Sequence, residues 1–445
     1  VYGRRGSIHP RGAIQDLGHY GRETRFLARI APLWLTAAAL FVTQTPCRAQ
    51  YQGEELRYAA ILMRHGVRAP TWTTERLNEY SAAPWPDFGV PPGHLTPHGR
   101  KLTAILGGYY RQYLTRAGLE GLTDCSATRR LYIHADVDQR TLASGKAFAE
   151  SIAPGCAAPV HSAGDQAADP LFDPLEAGSV SADARLALAA VAGRMGPDLT
   201  ATVAAHREAF ETLRGILAGG GKAKRSVMDE KVALKPGDAS VTMTGPLRLA
   251  STLTENLLLE YANGMSGDRL GWGRLNATNL LEVMRLHTAY AELLRRTPYL
   301  ARIRGGGMLL GIARSIEQAA AGKPVKGALG PADARLLVLV GHDTNISNLS
   351  GLLDLSWTLP GYQPDDVPPG GALLFTLWRS RATGEYSVRM RFIAQTLDQM
   401  RDGTPLSASN PPPAAELFVP GCGAAGAGYP CPLKGFLATV ADAVR

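Results

Sequence analysis

The chain has 445 residues, 45% hydrophobic and 19% charged, which is ample for a large core and excludes a disordered polyelectrolyte. Its formal charge of +8 says little about partners, because residues 1–49 carry seven arginines against Asp16 and Glu23, five of those eight charges. The remaining +3 includes no basic helix and no aromatic-interleaved basic stripe, so nucleic acid is not an expected partner.

From the N-terminus, Arg22, Arg25 and Arg29 precede the apolar run Ile30 to Val42, and a small residue follows at Ala49. A basic flank, a short apolar run and a small residue predict a secretory signal over 1–49, cleaved after Ala49. The run is too short to span a bilayer, so export to the periplasm or medium is expected, with no stable membrane anchor after cleavage. The stretch before Arg22 reads as an over-extended translation start, and Arg4-Arg5 as weak support for a twin-arginine route. Cys47 leaves with the leader, and the even remainder, Cys125, Cys156, Cys422 and Cys431, suits two disulfides. Cys422 and Cys431 flank a Gly-rich stretch and would close a small loop, leaving Cys125 for Cys156. A zinc site is the competing reading, but no Cys-x-x-Cys or nearby histidine supports it.

Leu56 to Met63 is almost uninterruptedly apolar and predicts a strand buried on both faces, ending at R-H-G-V-R-A-P-T, Arg64 to Thr71. L-T-P-H-G opens a helix, with Thr96 as cap and Pro97 at its first position, and Tyr109, Tyr110 and Tyr113 fall on its apolar stripe. Leu131 to Ala135 reads as a short strand, followed by a helix from about Asp138 with Arg140 in its first turn. Residues 182–297 show helical spacing and almost no strand signal, predicting a smaller all-helical inserted domain; within it Gly219–Gly221 marks a surface loop. Asn276-Ala-Thr has the glycosylation pattern and is assigned no function. Arg335 to Val340 is a second buried strand, running into G-H-D-T-N, and Pro364 to Gly371 reads as an ordered loop. Strands alternating with helices over 50–181 and 298–445 predict an α/β domain with a mixed, mostly parallel sheet covered by helices on both faces. Ligands of such sheets bind at the carboxyl ends of the strands.

If the two buried strands are neighbours, Arg64, His65 and Arg68 meet His342 and Asp343 at one rim, and Arg140 can join them. Guanidiniums gathered around imidazoles describe a pocket for a phosphate dianion. Fixed positive charge keeps His65 neutral, so it can attack phosphorus, and Asp343, the acid of the second cluster, can protonate a poor leaving group.

R-H-G-x-R-x-P with a late H-D resembles the histidine acid phosphatases, the branch of bacterial periplasmic phytase and glucose-1-phosphatase. The likeness extends through L-T-P-H-G, D-V-D-Q-R-T, D-P-L-F-D-P-L, L-A-S-T-L-T-E, G-W-G-R, P-P-G-G and Q-T-L-D-Q-M-R. It implies the phosphoglycerate-mutase-like histidine phosphatase fold and cofactor-free, metal-independent hydrolysis of phosphomonoesters through a phosphohistidine. By position it makes His65 the nucleophile and Asp343 the proton donor, with Arg64, Arg68, Arg140 and His342 holding the phosphate. Thr71 would line the substrate mouth, and Glu255 and Arg304 match pocket-side positions. The phytase branch carries a lysine after R-A-P-T where this chain has Trp72, so a cation is expected to be missing there. Phytate is the expected substrate; a sugar phosphatase is the alternative, and a phosphate-binding protein the non-enzymatic one. A cytoplasmic mutase fits poorly with the leader, and a metallophosphatase with arginines beside both histidines.

Overall fold

The apolar run before the first histidine forms strand β1 (Glu54–Arg64), and the run before the second forms β6 (Leu336–Gly341). They pair in parallel with Met63 opposite Val340 and Arg64 opposite Gly341, so both motifs leave the sheet at the same level. The computed structural model describes residues 53–119, 125–237 and 240–445. The proposed signal, with Ala49 and Cys47, lies outside them.

The remaining sheet strands are β2 (Leu131–Ala135), β3 (Val160–His161), β7 (Ala372–Ser380), β8 (Tyr386–Ile393), β9 (Ala414–Leu417) and β10 (Cys431–Pro432), in the order β10-β8-β7-β1-β6-β2-β3 with β9 against β8. β1, β6, β2 and β3 run parallel. β7 is antiparallel to β1, and β8 to β7, so β8 returns to the direction of β1. The sheet is therefore mixed, as expected, with its parallel part around β6. Alternation explains the unbroken hydrophobicity of the central strands. Ala59, Ile61, Met63, Leu336, Val338 and Val340 pack on Leu106, Tyr110 and Phe148 of helices α1 (Pro97–Arg116) and α2 (Gln139–Ile152). Ala60, Leu62, Leu337 and Leu339 face the opposite cluster.

That opposite cluster is continuous with the helical segment. It takes in Leu253 and Leu257 of α5 (Pro246–Ala262), Leu280 and Val283 of α6 (Ala277–Leu294), Leu309 and Ile312 of α7 (Pro298–Ala321), and Ile346 of α8 (Asp343–Leu352). The helices α3 (Ala184–Met195) and α4 (Arg207–Ala218) precede these. The segment is not all-helical: β4 (Ala233–Pro236) and β5 (Val241–Thr244) form an antiparallel hairpin. These strands pair only with each other and bury only Met243, so their sequence carries no alternating signal. Asn276 of the glycosylation pattern caps α6, its Oδ1 accepting from the Thr278 and Asn279 amides.

Thr96 caps α1 by accepting from the Gly99 amide at 2.9 Å, with Pro97 following as expected. Gly99 itself is required by packing, since a Cβ there would come within 2.1 Å of the Val67 carbonyl oxygen. The L-T-P-H-G segment thus seats α1 directly on the R-H-G-V-R turn. Cys125 is bonded to Cys156 and Cys422 to Cys431, which leaves no thiolate for the zinc alternative among the described residues. Among the described residues, no helix is long and apolar enough to cross a membrane.

Glu260 on α5 is fully buried; its Oε2 accepts from the Gly271 amide at 2.8 Å and its Oε1 has no partner. It pins the G-W-G-R turn, where Gly271 and Trp272 adopt positive φ of 51° and 56°. Burial pushes its carboxyl up to about 8. The native state therefore holds a proton that the unfolded chain, titrating near 4.5, gives up. This contribution is complete below pH 4.5 and is lost as pH rises through 8, each unit of difference being about 1.4 kcal/mol. Glu260→Gln keeps the acceptor without the titration, so its urea midpoint should fall less than the parent's between pH 5 and 8. Parallel midpoint curves would show that Glu260 does not set this slope.

Candidate active site

The carboxyl ends of β1, β6 and β2 lie side by side, since Val340 is opposite both Met63 and Ala135. From these ends project His65, His342 and Asp136, and Arg140 follows in the first turn of α2. The turn at His65 is held by backbone bonds: its amide donates to Gly341 O at 2.9 Å, and its carbonyl accepts from Gly370 N at 3.1 Å. The P-P-G-G segment thus supports the histidine from behind. Gly66 N donates to Ser144 Oγ at 3.0 Å, and a Cβ on Gly66 would meet Thr103 Oγ1 at 2.6 Å.

His65 is 2% exposed, and its Nδ1 lies 2.8 Å from Gly66 O. A carbonyl only accepts, so Nδ1 carries the proton and the Nε2 lone pair is free. Burial, then Arg140, Arg64 and Arg68, hold its pKa well below the usual imidazole range. The His342 ring lies 5.5 Å away, edge-on. His342 Nε2 donates to Asp136 Oδ2 at 2.6 Å, while its Nδ1 faces Arg140 Nη2 at 3.5 Å.

Glu255 enters from α5 and bridges the two arginines of the first motif, bonding Arg64 through Oε1 and Arg68 through Oε2, the latter at 3.0 Å. Tertiary packing thus buries its carboxylate between the two guanidiniums. Burial raises this carboxyl, but Arg68 and Arg64 outweigh it and hold it at about 2. Arg64 is also anchored by donating to Val367 O at 2.6 Å.

Asp343 begins α8, and its Oδ1 accepts from the Thr344 amide. Its Oδ2 faces Arg295 Nη1 at 2.5 Å, His287 Nε2 at 3.5 Å and Arg64 Nη1 at 4.0 Å. Burial raises this carboxyl too, yet Arg295 and Arg64 hold it well below the ordinary range. Arg295 and His287 were not singled out from sequence, because both lie in helical patterns that read as structural. The R-R-T-P end of α6 was the available signal. Asp136, the partner of His342, was equally unremarked inside D-V-D-Q-R.

A methyl on Gly93 would touch the Arg140 guanidinium and the Thr71 methyl alike, at 3.7 Å each, which puts Thr71 near Arg140. Trp72 follows, half-buried, but a cation is not missing there: Arg76 lays its guanidinium 3.8 Å from the centre of the indole. Arg76 lies on a short helical turn, Thr74–Leu77, that begins just after Trp72. Arg304 lines a cavity with Glu255, Arg295 and Thr344, and its Nη1 is 3.9 Å from Glu176 Oε1.

Asp136, Asp173 and His342 present ligand atoms within 4.8 Å of one another, close enough for a metal ion. His342 already bonds Asp136 there, and the Arg140 guanidinium beside its other nitrogen opposes a divalent cation. Burial, with the Asp136 charge, pushes the Asp173 carboxyl up to about 6.

A buried neutral histidine among arginines, facing a second histidine and a carboxylate, defines a phosphohistidine-type phosphatase site. The chain belongs to the histidine phosphatase superfamily (branch 2), whose family model matches residues 55–392, and it is a phosphomonoester hydrolase of the histidine acid phosphatase kind. It is 38% identical over 421 residues to phytase AppA of Escherichia coli, an alignment covering 91% of this chain and 96% of the relative. Glucose-1-phosphatase of Providencia rettgeri is 26% identical over 92% of this chain and 97% of its own. The structure of Hafnia alvei phytase in complex with tartrate superposes with a TM-score of 0.81 at 35% identity, covering 89% of this chain and 98% of that one.

Glu255 occupies both Arg64 and Arg68, so an anion that binds these guanidiniums has to displace it. Glu255→Gln removes the competing charge, so inorganic phosphate should inhibit about fivefold more tightly, the worth of roughly 1 kcal/mol. An unchanged inhibition constant for phosphate would rule out that competition.

Proposed function

We propose that this enzyme is a phytase, removing phosphate from myo-inositol hexakisphosphate through a phosphohistidine on His65, in the periplasm or outside the cell. The observation that carries the mechanism is the buried His65, neutral by burial and three guanidiniums, with its Nδ1 proton engaged by Gly66 O. The phytase assignment is supported by the 38% identity to a phytase, against 26% to a glucose-1-phosphatase. A sugar phosphatase would be served by an open Trp72 face for stacking, and Arg76 already lies on that face. We assign 182–297 as the smaller domain, supplying Glu255, His287 and Arg295 to the substrate side.

In this reading Arg64, Arg68, Arg140 and His342 hold the phosphate as Glu255 swings aside. His65 Nε2 attacks phosphorus, the ester P–O bond breaks, and the leaving oxygen takes a proton from Asp343. Water then attacks the phosphohistidine and returns a proton to the Asp343 carboxylate; the N–P bond breaks, releasing phosphate and neutral His65. The cations that depress Asp343 leave it ionised in the resting enzyme, so its first proton arrives with the substrate. A phosphomonoester is a monoanion below its second ionisation near about 6, which places the activity on the acid side.

Acid quench during turnover of a labelled ester should trap an acid-labile phosphoryl group on the protein, absent with activity in His65→Ala. Full activity in that variant would end the covalent mechanism. Asp343→Asn should slow hydrolysis of phytate far more than that of an activated aryl phosphate, whose leaving group needs little proton help. Equal losses on the two substrates would make Asp343 a positioning residue.

A further inference from the structure

Beside the clamp, a cavity of about 260 Å³ opens between β5, α5, α6 and α7, and Glu255 is part of its wall. The same wall carries three guanidiniums, Arg248, Arg295 and Arg304, and the hydroxyls of Thr252 and Thr344. Its negative side chain, Glu255, is committed to Arg64 and Arg68, and Arg295 is committed to Asp343. Arg304 has only a loose contact with Glu176, at 3.9 Å. Arg248 has no carboxylate partner among the described residues. It is nevertheless held in place, since its Nη1 donates to Thr252 Oγ1 at 2.7 Å and its guanidinium lies 5.7 Å from the Tyr290 ring centre. A half-buried, positioned and uncompensated cation on a hydroxyl-lined wall is matched by an anion.

We propose that Arg248 is a specificity residue that binds a second phosphate of a polyphosphorylated substrate in this cavity while the scissile phosphate lies in the clamp. This rests on the phosphatase site above and extends the phytase reading. The cavity and the clamp share Glu255 as a common wall, and Arg248 lies about two helical turns before Glu255 on α5, so a ring carrying several phosphates can present one to the clamp and another to the cavity. A singly phosphorylated ester can reach only the clamp.

The test uses hydrolysis of an aryl phosphate as reporter, inhibited in turn by myo-inositol hexakissulfate and by inorganic phosphate. In Arg248→Gln the ratio of the hexakissulfate to the phosphate inhibition constant should rise about fivefold, with Arg248→Lys recovering part of it and added salt narrowing the difference. An unchanged ratio, or inhibition by both anions weakening together, would overturn the assignment. So would loss of reporter turnover in both variants, which would make Arg248 structural. Phytate hydrolysis by the parent enzyme reads the substrate assignment separately: its absence alongside an Arg248-dependent ratio would sink the phytase reading and leave the anion site standing.

Discussion

Positive charge concentrated around a buried imidazole is the constraint on which the site depends. Arg64 and Arg68 are 1% and 5% exposed, and Arg140 closes on the same histidine from α2. Buried guanidiniums without counter-charge would be costly, and Glu255 supplies that charge from the helical side of the molecule. The two halves of the chain are thereby joined by an ion pair whose negative member occupies the place of a ligand. In the proposed reaction an incoming phosphate would replace one anion by another, so the arginines would not be left bare.

The carboxylate opposite obeys the same economy of charge. Asp343 is anchored by Arg295 and sits at the start of α8, a place that favours an anion. These influences keep it ionised at rest, and in the proposed reaction a phosphoryl group that neutralised Arg64 would make it a better proton acceptor. An acid enzyme resolves the conflict, because its substrate carries the proton in. Glu260 and Asp173, both pushed up by burial, show that other carboxyls of the fold are also suited to acid conditions.

Close packing fixes the geometry that these charges require. Gly99 lets α1 touch the backbone of Val67, Gly66 fits under Thr103, and Gly370 and Gly371 bond the two residues at the strand end. The short motifs of the family therefore describe contacts around one turn, although they are scattered over more than three hundred residues.

By itself the sequence determined the central strands, both ends that carry the histidines, the capped α1 and the two cysteine pairs. All but one are written locally, in unbroken hydrophobicity, in Thr-Pro capping or in the short loop between Cys422 and Cys431; Cys125 and Cys156 pair as the remainder. The arginine–histidine cluster was legible because strand ends in a parallel sheet converge, which is a rule of topology. Tertiary structure alone decided the rest. His287 lies on a helix, and Arg295 at that helix's end, where periodicity identifies a buried face without saying what it meets; Glu255 was marked pocket-side by the family likeness, but its two arginine partners were not. Arg76 brings a cation to Trp72 by lying across its indole, a contact set by how the chain turns into the short helix that follows. The β4–β5 hairpin buries too little to leave an alternating pattern. Partner choice among charged groups depends on distance in space, and a linear pattern carries that information only where backbone pairing brings the segments together.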